Sequence, residues 1–163
     1  MKVVRLPAVA LVAVALAFAC ERSDPAAPRL LANLAKTGGL LPCKPLGYDS
    51  VTQRIGPAGG VLKIAKYNLV IPAGALVAAV SITAVAPSDT VNRVELRPEG
   101  LAFSRPAVLT MSYGNCKVIP QSKQIAYTTD SLVIIQFVPS SDSPMAKLVT
   151  GELSHFSNYA LAW

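Results

Sequence analysis

The arrangement of turn-forming residues constrains this chain more than any other feature. From Arg54 onward short apolar runs recur, and proline- and glycine-rich turns separate them. Val61-Leu62-Lys63-Ile64 follows Gly56-Pro57-Ala58-Gly59-Gly60, and Tyr67 to Ile71 stops at Pro72-Ala73-Gly74. Val80, Ile82 and Ala84 alternate with Ser81, Thr83 and Val85, and Val94 and Leu96 alternate with Glu95 and Arg97 before Pro98-Glu99-Gly100. Such period-two patterning places alternate side chains on opposite faces of a strand. Val108 to Tyr113 alternates in the same way, and Lys147 to Leu153 and Asn158 to Trp163 complete the set. Leu132 to Phe137 is a β-branched-rich run, which predicts a buried strand. With no long amphipathic helix among them, eight or nine such runs predict an all-β fold, an antiparallel β-sandwich.

The N-terminal region has a different character. Lys2 and Arg5 precede an unbroken apolar run of 12 residues, Ala8 to Ala19. That is the length of a signal-peptide core and is short of the roughly 20 residues that cross a bilayer. Ala17-Phe18-Ala19 fits a small-residue cleavage site, and Leu16-Ala17-Phe18-Ala19-Cys20 resembles a bacterial lipobox, with Leu16 one place early. The resemblance implies removal of residues 1–19 and acylation of Cys20, which would anchor the protein in the membrane of a bacterial cell envelope, at the outer membrane or cell surface. Several acyl chains on one residue give lasting attachment where one alone is marginal. Secretion without lipid on Cys20 is the alternative. From Glu21 to about Ser50, Pro25, Pro28, Pro42 and Pro45 interrupt any regular element, so residues 20–50 read as a lipid-anchored flexible tether and 51–163 as the sandwich. Without Lys2 and Arg5 the net charge falls from +6 to +4.

Export also decides how the cysteines read. Cys43 and Cys116 form an even pair outside any C-x-x-C setting, which predicts a structural disulfide in an oxidising compartment. One histidine in the whole chain excludes a multi-His metal centre, and no cofactor is implied. Nine scattered acids leave an all-oxygen calcium site open.

Several pieces together resemble ZU5 domains. They are Ile55-Gly56-Pro57-Ala58-Gly59-Gly60, Leu69 to Leu76, Leu96 to Phe103, Arg105 to Leu109, and His155-Phe156-Ser157-Asn158-Tyr159. The resemblance spans roughly Arg54 to Trp163. It implies a β-sandwich serving as a protein-interaction module. This chain has neither a second sandwich nor a death domain beside it, which separates it from signalling members. Read from the residues themselves, the same pieces end strands and turn the chain.

His155-Phe156-Ser157 is also the scission tripeptide of self-cleaving relatives. Ser157 would be nucleophile and His155 base, cutting the Phe156–Ser157 bond through an ester that water hydrolyses. The structural reading places Phe156 in the core, with His155 and Ser157 bridging the terminal strands. There is no G-x-S-x-G elbow, P-loop or G-x-G-x-x-G to suggest another enzyme. Lys63, Lys66, Arg93, Arg97 and Arg105 are interspersed with apolar and acidic residues, a solvated face rather than a nucleic-acid surface. Tyr48, Tyr67, Tyr113, Tyr127 and Trp163 are candidate rings for stacking a glycan.

The expectation is therefore a lipid-anchored envelope protein whose sandwich is a non-enzymatic protein-interaction or structural module, its partner an unidentified envelope protein or glycan. Self-cleavage and glycan binding are the alternatives.

Overall fold

The computed structural model describes residues 38–163. The leader, Cys20 and the first part of the tether lie outside the described residues. Among the described residues there is no helix, and the chain forms β1 (Asp49–Ile55), β2 (Gly60–Ile64), β3 (Tyr67–Ile71), β4 (Val80–Ala86), β5 (Arg93–Arg97), β6 (Ala102–Ser112), β7 (Gln124–Thr128), β8 (Ile134–Phe137), β9 (Ser140–Ser143), β10 (Leu148–His155) and β11 (Asn158–Ala162). Six strands make one sheet in the order β1-β4-β5-β11-β7-β8, and five make the other in the order β2-β3-β6-β10-β9. Every pairing is antiparallel, so the fold is the expected β-sandwich.

Period-two patterning places the core. Leu62 and Ile64 of β2, Leu69 and Ile71 of β3, and Leu109 and Met111 of β6 face Ile82 and Ala84 of β4, Val94 and Leu96 of β5, and Tyr159 and Leu161 of β11 in one buried cluster. On β5 the intervening Arg93, Glu95 and Arg97 point outward. There Asp89, Arg93, Glu95, Arg97 and Glu99 form a ladder of ion pairs. Partly solvated pairs of this kind contribute about 0–1 kcal/mol each. Thr52–Thr83 and Thr110–Thr150 hydroxyl pairs join neighbouring strands.

One turn shows why glycine stands where it does. Gly59 has φ +76, and a Cβ there would run into the Ile71 carbonyl. The Gly56–Gly60 turn thereby fits against Pro72-Ala73-Gly74, whose Gly74 N–H donates to Pro57 O at 2.8 Å. The two turns are thus one interlocked pair.

Three features differ from the sequence expectation. Eleven strands form rather than eight or nine, because β1, β7 and β9 carry little apolar patterning; β9 is Ser140-Ser141-Asp142-Ser143, held by pairing with β10. The boundary at residue 50 falls inside the packed unit: Leu41 is fully buried, its N–H donates to Leu161 O at 2.9 Å, and Leu40 bridges Ala162. Leu40 and Leu41 continue the pairing beside β11 where β5 has ended, while Pro42 bridges Val91 and Cys43 bridges Cys116. The Leu132–Phe137 run is not a buried strand. Its β8 portion is the edge of the six-stranded sheet, with Val133 60% and Ile135 53% exposed.

Candidate functional site

The chain crosses between the sheets at His155–Ser157, passing from β10 in the five-stranded sheet to β11 in the six-stranded one. A second crossing, Pro98–Leu101, links β5 to β6 and runs beside it, after a cis Arg97–Pro98 peptide. Two backbone hydrogen bonds join the two crossings, and a third ties the end of β5 to the first of them. Phe156 N–H donates to Leu101 O at 2.9 Å, Gly100 N–H to Phe156 O at 2.9 Å, and Leu96 N–H to Ser157 O at 3.0 Å. The segments Leu96 to Phe103 and His155 to Tyr159 are therefore halves of one element.

Phe156 is fully buried, and its ring meets the Phe103 ring edge-on at 4.9 Å. His155 is half-buried, edge-on to the Tyr127 ring at 5.1 Å, with Nδ1 3.3 Å from Phe156 O. The Tyr159 hydroxyl donates to His155 O at 2.6 Å. Burial, and next the neighbouring Tyr127, holds the Tyr159 phenol above its ordinary pKa and so keeps that donor proton in place. Ser157 is buried, and its hydroxyl donates to Glu99 Oε1 over a long 3.4 Å.

The structure thus brings His155 to the carbonyl oxygen of Phe156 rather than to the Ser157 hydroxyl. The group facing that hydroxyl is Glu99, whose other carboxylate oxygen pairs with Arg97 at 3.2 Å. Gly100 N–H donates to the carbonyl that Ser157 would attack, and His155 Nδ1 lies beside the same oxygen. Neither Phe156 nor Ser157 adopts the left-handed backbone region, and the peptide bond between them is not cis. Sequence reasoning did not find Glu99 and Gly100 as partners of this site. They lie nearly 60 positions upstream, and their proximity comes from sheet pairing alone.

Cys43 and Cys116 are joined in a disulfide at the other candidate position, closing a 73-residue separation. Beside it the Asn92 and Asn115 amides exchange hydrogen bonds of 2.9 Å each way, and Asn115 Nδ2 also donates to Lys44 O at 2.6 Å. The β6–β7 connection is thereby tied to the chain entering the sandwich.

Of the rings considered for a glycan, Tyr67 and Tyr113 are buried, Tyr127 and Trp163 half-buried, and Tyr48 exposed. Among the described residues no group of three or more His, Cys, Asp or Glu side chains is placed to hold a metal ion. Cys20, the lipid-attachment candidate, lies outside the described residues. No family model matches the chain, and no curated protein matches it in sequence.

Proposed function

We propose that this is an exported, lipid-anchored envelope protein whose ZU5-like sandwich is a non-enzymatic interaction module. The edge strand β8 carries this reading. Natural sheets guard their edges with charge, proline, bulges or cover. From Ser131 to Val138 the chain has no charged residue and no proline; its pairing with β7 shifts register at Ile135, a bulge-like irregularity, and Val133 and Ile135 are open to solvent. An edge of this kind suits a partner protein that adds an extended strand, with backbone hydrogen bonds for affinity and apolar side chains for register. The leader pattern before Cys20 supports export, and the paired Cys43 and Cys116 fit an oxidising compartment.

Site-specific photocrosslinking in the envelope tests the reading. A photoreactive residue at Ile135 should give one discrete protein adduct that the same residue at Thr52, on the opposite edge strand, does not give. Ile135→Lys should compete poorly for that adduct while keeping the wild-type melting temperature. Equal crosslinking from both edges, or none from Ile135, would sink the β8 assignment.

One observation favours a second reading, self-cleavage between Phe156 and Ser157. Gly100 N–H already polarises the carbonyl to be attacked. Ser157 Oγ would add to the Phe156 carbonyl carbon, the C–N bond to Ser157 would break as its nitrogen takes the hydroxyl proton, and water would hydrolyse the resulting ester to the Phe156 carboxylate and the freed Ser157 hydroxyl. The long bond from Ser157 to Glu99, and the engagement of His155 elsewhere, support the non-enzymatic reading over this one.

A further inference from the structure

A cleft of about 240 Å³ opens between the 117–123 segment and the turn that joins β9 to β10. Tyr113, Ile119 and Pro144 give it apolar walls, and Lys117, Lys123 and Lys147 bring three positive charges to it. Lys123 is the informative residue, because it is only 7% exposed. Its Nζ donates to Ile119 O and Gln121 O at 2.7 Å each and lies 5.6 Å from the centre of the Tyr113 ring. An ammonium has three hydrogens, so one remains for another acceptor.

No carboxylate makes a direct ion pair with that ammonium. Among the described residues the ion pairs all belong to Arg93 and Arg97, and none involves a lysine. Asp142 is the acid in the cleft, and both of its oxygens are engaged elsewhere. Oδ1 accepts from the Tyr113 hydroxyl at 2.8 Å and Oδ2 from the Lys123 backbone N–H at 2.9 Å. A buried cation without a counter-charge is costly, and a bound anion offsets that cost.

We propose that this cleft binds small carboxylates with an apolar body. The carboxylate meets Lys123 Nζ, Lys117 and Lys147 close over it from the exposed rim, and the body lies against Tyr113, Ile119 and Pro144. The volume is somewhat below the roughly 300–1,000 Å³ of pockets for drug-sized ligands, so it fits a fragment such as benzoate or hexanoate. Apolar walls select such ions over inorganic phosphate, which has no apolar surface to bury. This site is separate from β8 and does not depend on the interaction reading.

Calorimetric titration of the full mature chain, with its disulfide closed, tests the proposal. Benzoate and hexanoate should bind, and benzyl alcohol and inorganic phosphate should each bind at least about tenfold more weakly, one charge-assisted hydrogen bond being lost in the first case. Lys123→Met should weaken benzoate by about tenfold or more. Lys123 also wraps its own loop, so the Lys117→Ala, Lys147→Ala double variant serves as a control for folding. It should keep the wild-type melting temperature and bind benzoate about threefold to tenfold more weakly, with a flatter salt dependence. Benzyl alcohol binding as well as benzoate, phosphate binding as well as benzoate, unchanged affinity in the double variant, or no binding of either carboxylate would each overturn the assignment.

Discussion

The crossing at His155–Ser157 and the cleft around Lys123 use polar groups in opposite ways. At the crossing the residue types are those of a reactive centre, yet their hydrogen-bonding groups are engaged within the fold. The carbonyls of His155, Phe156 and Ser157 accept from Tyr159, Gly100 and Leu96, and the Ser157 hydroxyl donates to Glu99. In the cleft an inconspicuous lysine from a Gln-Ser-Lys-Gln stretch has no direct ion pair, and two of its three ammonium hydrogens are held by the carbonyls of its own loop. The first arrangement fixes one sheet against the other. The second leaves capacity for a ligand.

The largest test of this contrast is Phe156→Ala. A fully buried ring at the centre of the crossing should cost about 3–5 kcal/mol of unfolding free energy, read from urea denaturation. A loss below about 1 kcal/mol would mean that the crossing is not part of the core. Removing both cysteines, Cys43→Ala with Cys116→Ala, should cost about 4 kcal/mol on the chain-entropy account of a loop this long. It should also loosen the cleft, since Cys116 immediately precedes the lining segment.

A smaller effect separates the two regions by chemistry. Tyr113→Phe deletes the hydroxyl that holds Asp142 Oδ1 and should cost about 1.5 kcal/mol, with Asp142 freed to approach Lys123 and weaken carboxylate binding. The same phenol gives a pH signature. Burial, followed by the Asp142 hydrogen bond and charge, pushes its pKa up from 10.0 to about 12. A group with a raised folded pKa contributes stability that is fully present below the unfolded value and is lost as pH rises through the folded one. Stability should therefore fall between pH 10 and about 12, and Tyr113→Phe should flatten that decline. An identical decline in the variant would assign the alkaline transition to other groups, such as the buried Tyr67 and Tyr159 phenols, whose pKa values are also raised. The smallest effect is expected from Ser157→Ala, about 0.5 kcal/mol, because its bond to a solvated carboxylate is long.

The sandwich was legible where alternation was clear. On β5, Val94 and Leu96 are fully buried while Arg93, Glu95 and Arg97 carry the outer ion pairs, as their sequence spacing implies. Position within a sheet was not legible. Leu132 to Phe137 is the more hydrophobic run, yet its strand lies at an edge, whereas Asn158-Tyr159-Ala160-Leu161-Ala162 is buried along its whole length between β5 and β7. Non-local pairing makes that choice, and a run of side chains does not encode its neighbours. The site divides similarly. His155-Phe156-Ser157 stands out as a tripeptide, but its role depends on Glu99 and Gly100. Lys123 gave no signal, because its burial arises when its own loop folds the carbonyls of Ile119 and Gln121 around the ammonium.

Intact mass of the purified mature protein, followed through prolonged incubation at neutral pH, tests most directly whether the His155–Ser157 crossing is a strut rather than a self-cleaving centre. The account predicts one species with its N-terminus at Cys20 and no cut between Phe156 and Ser157, unchanged with time and identical in length for Ser157→Ala. Release of the Ser157–Trp163 peptide from the wild type on unfolding, absent in Ser157→Ala, would contradict it.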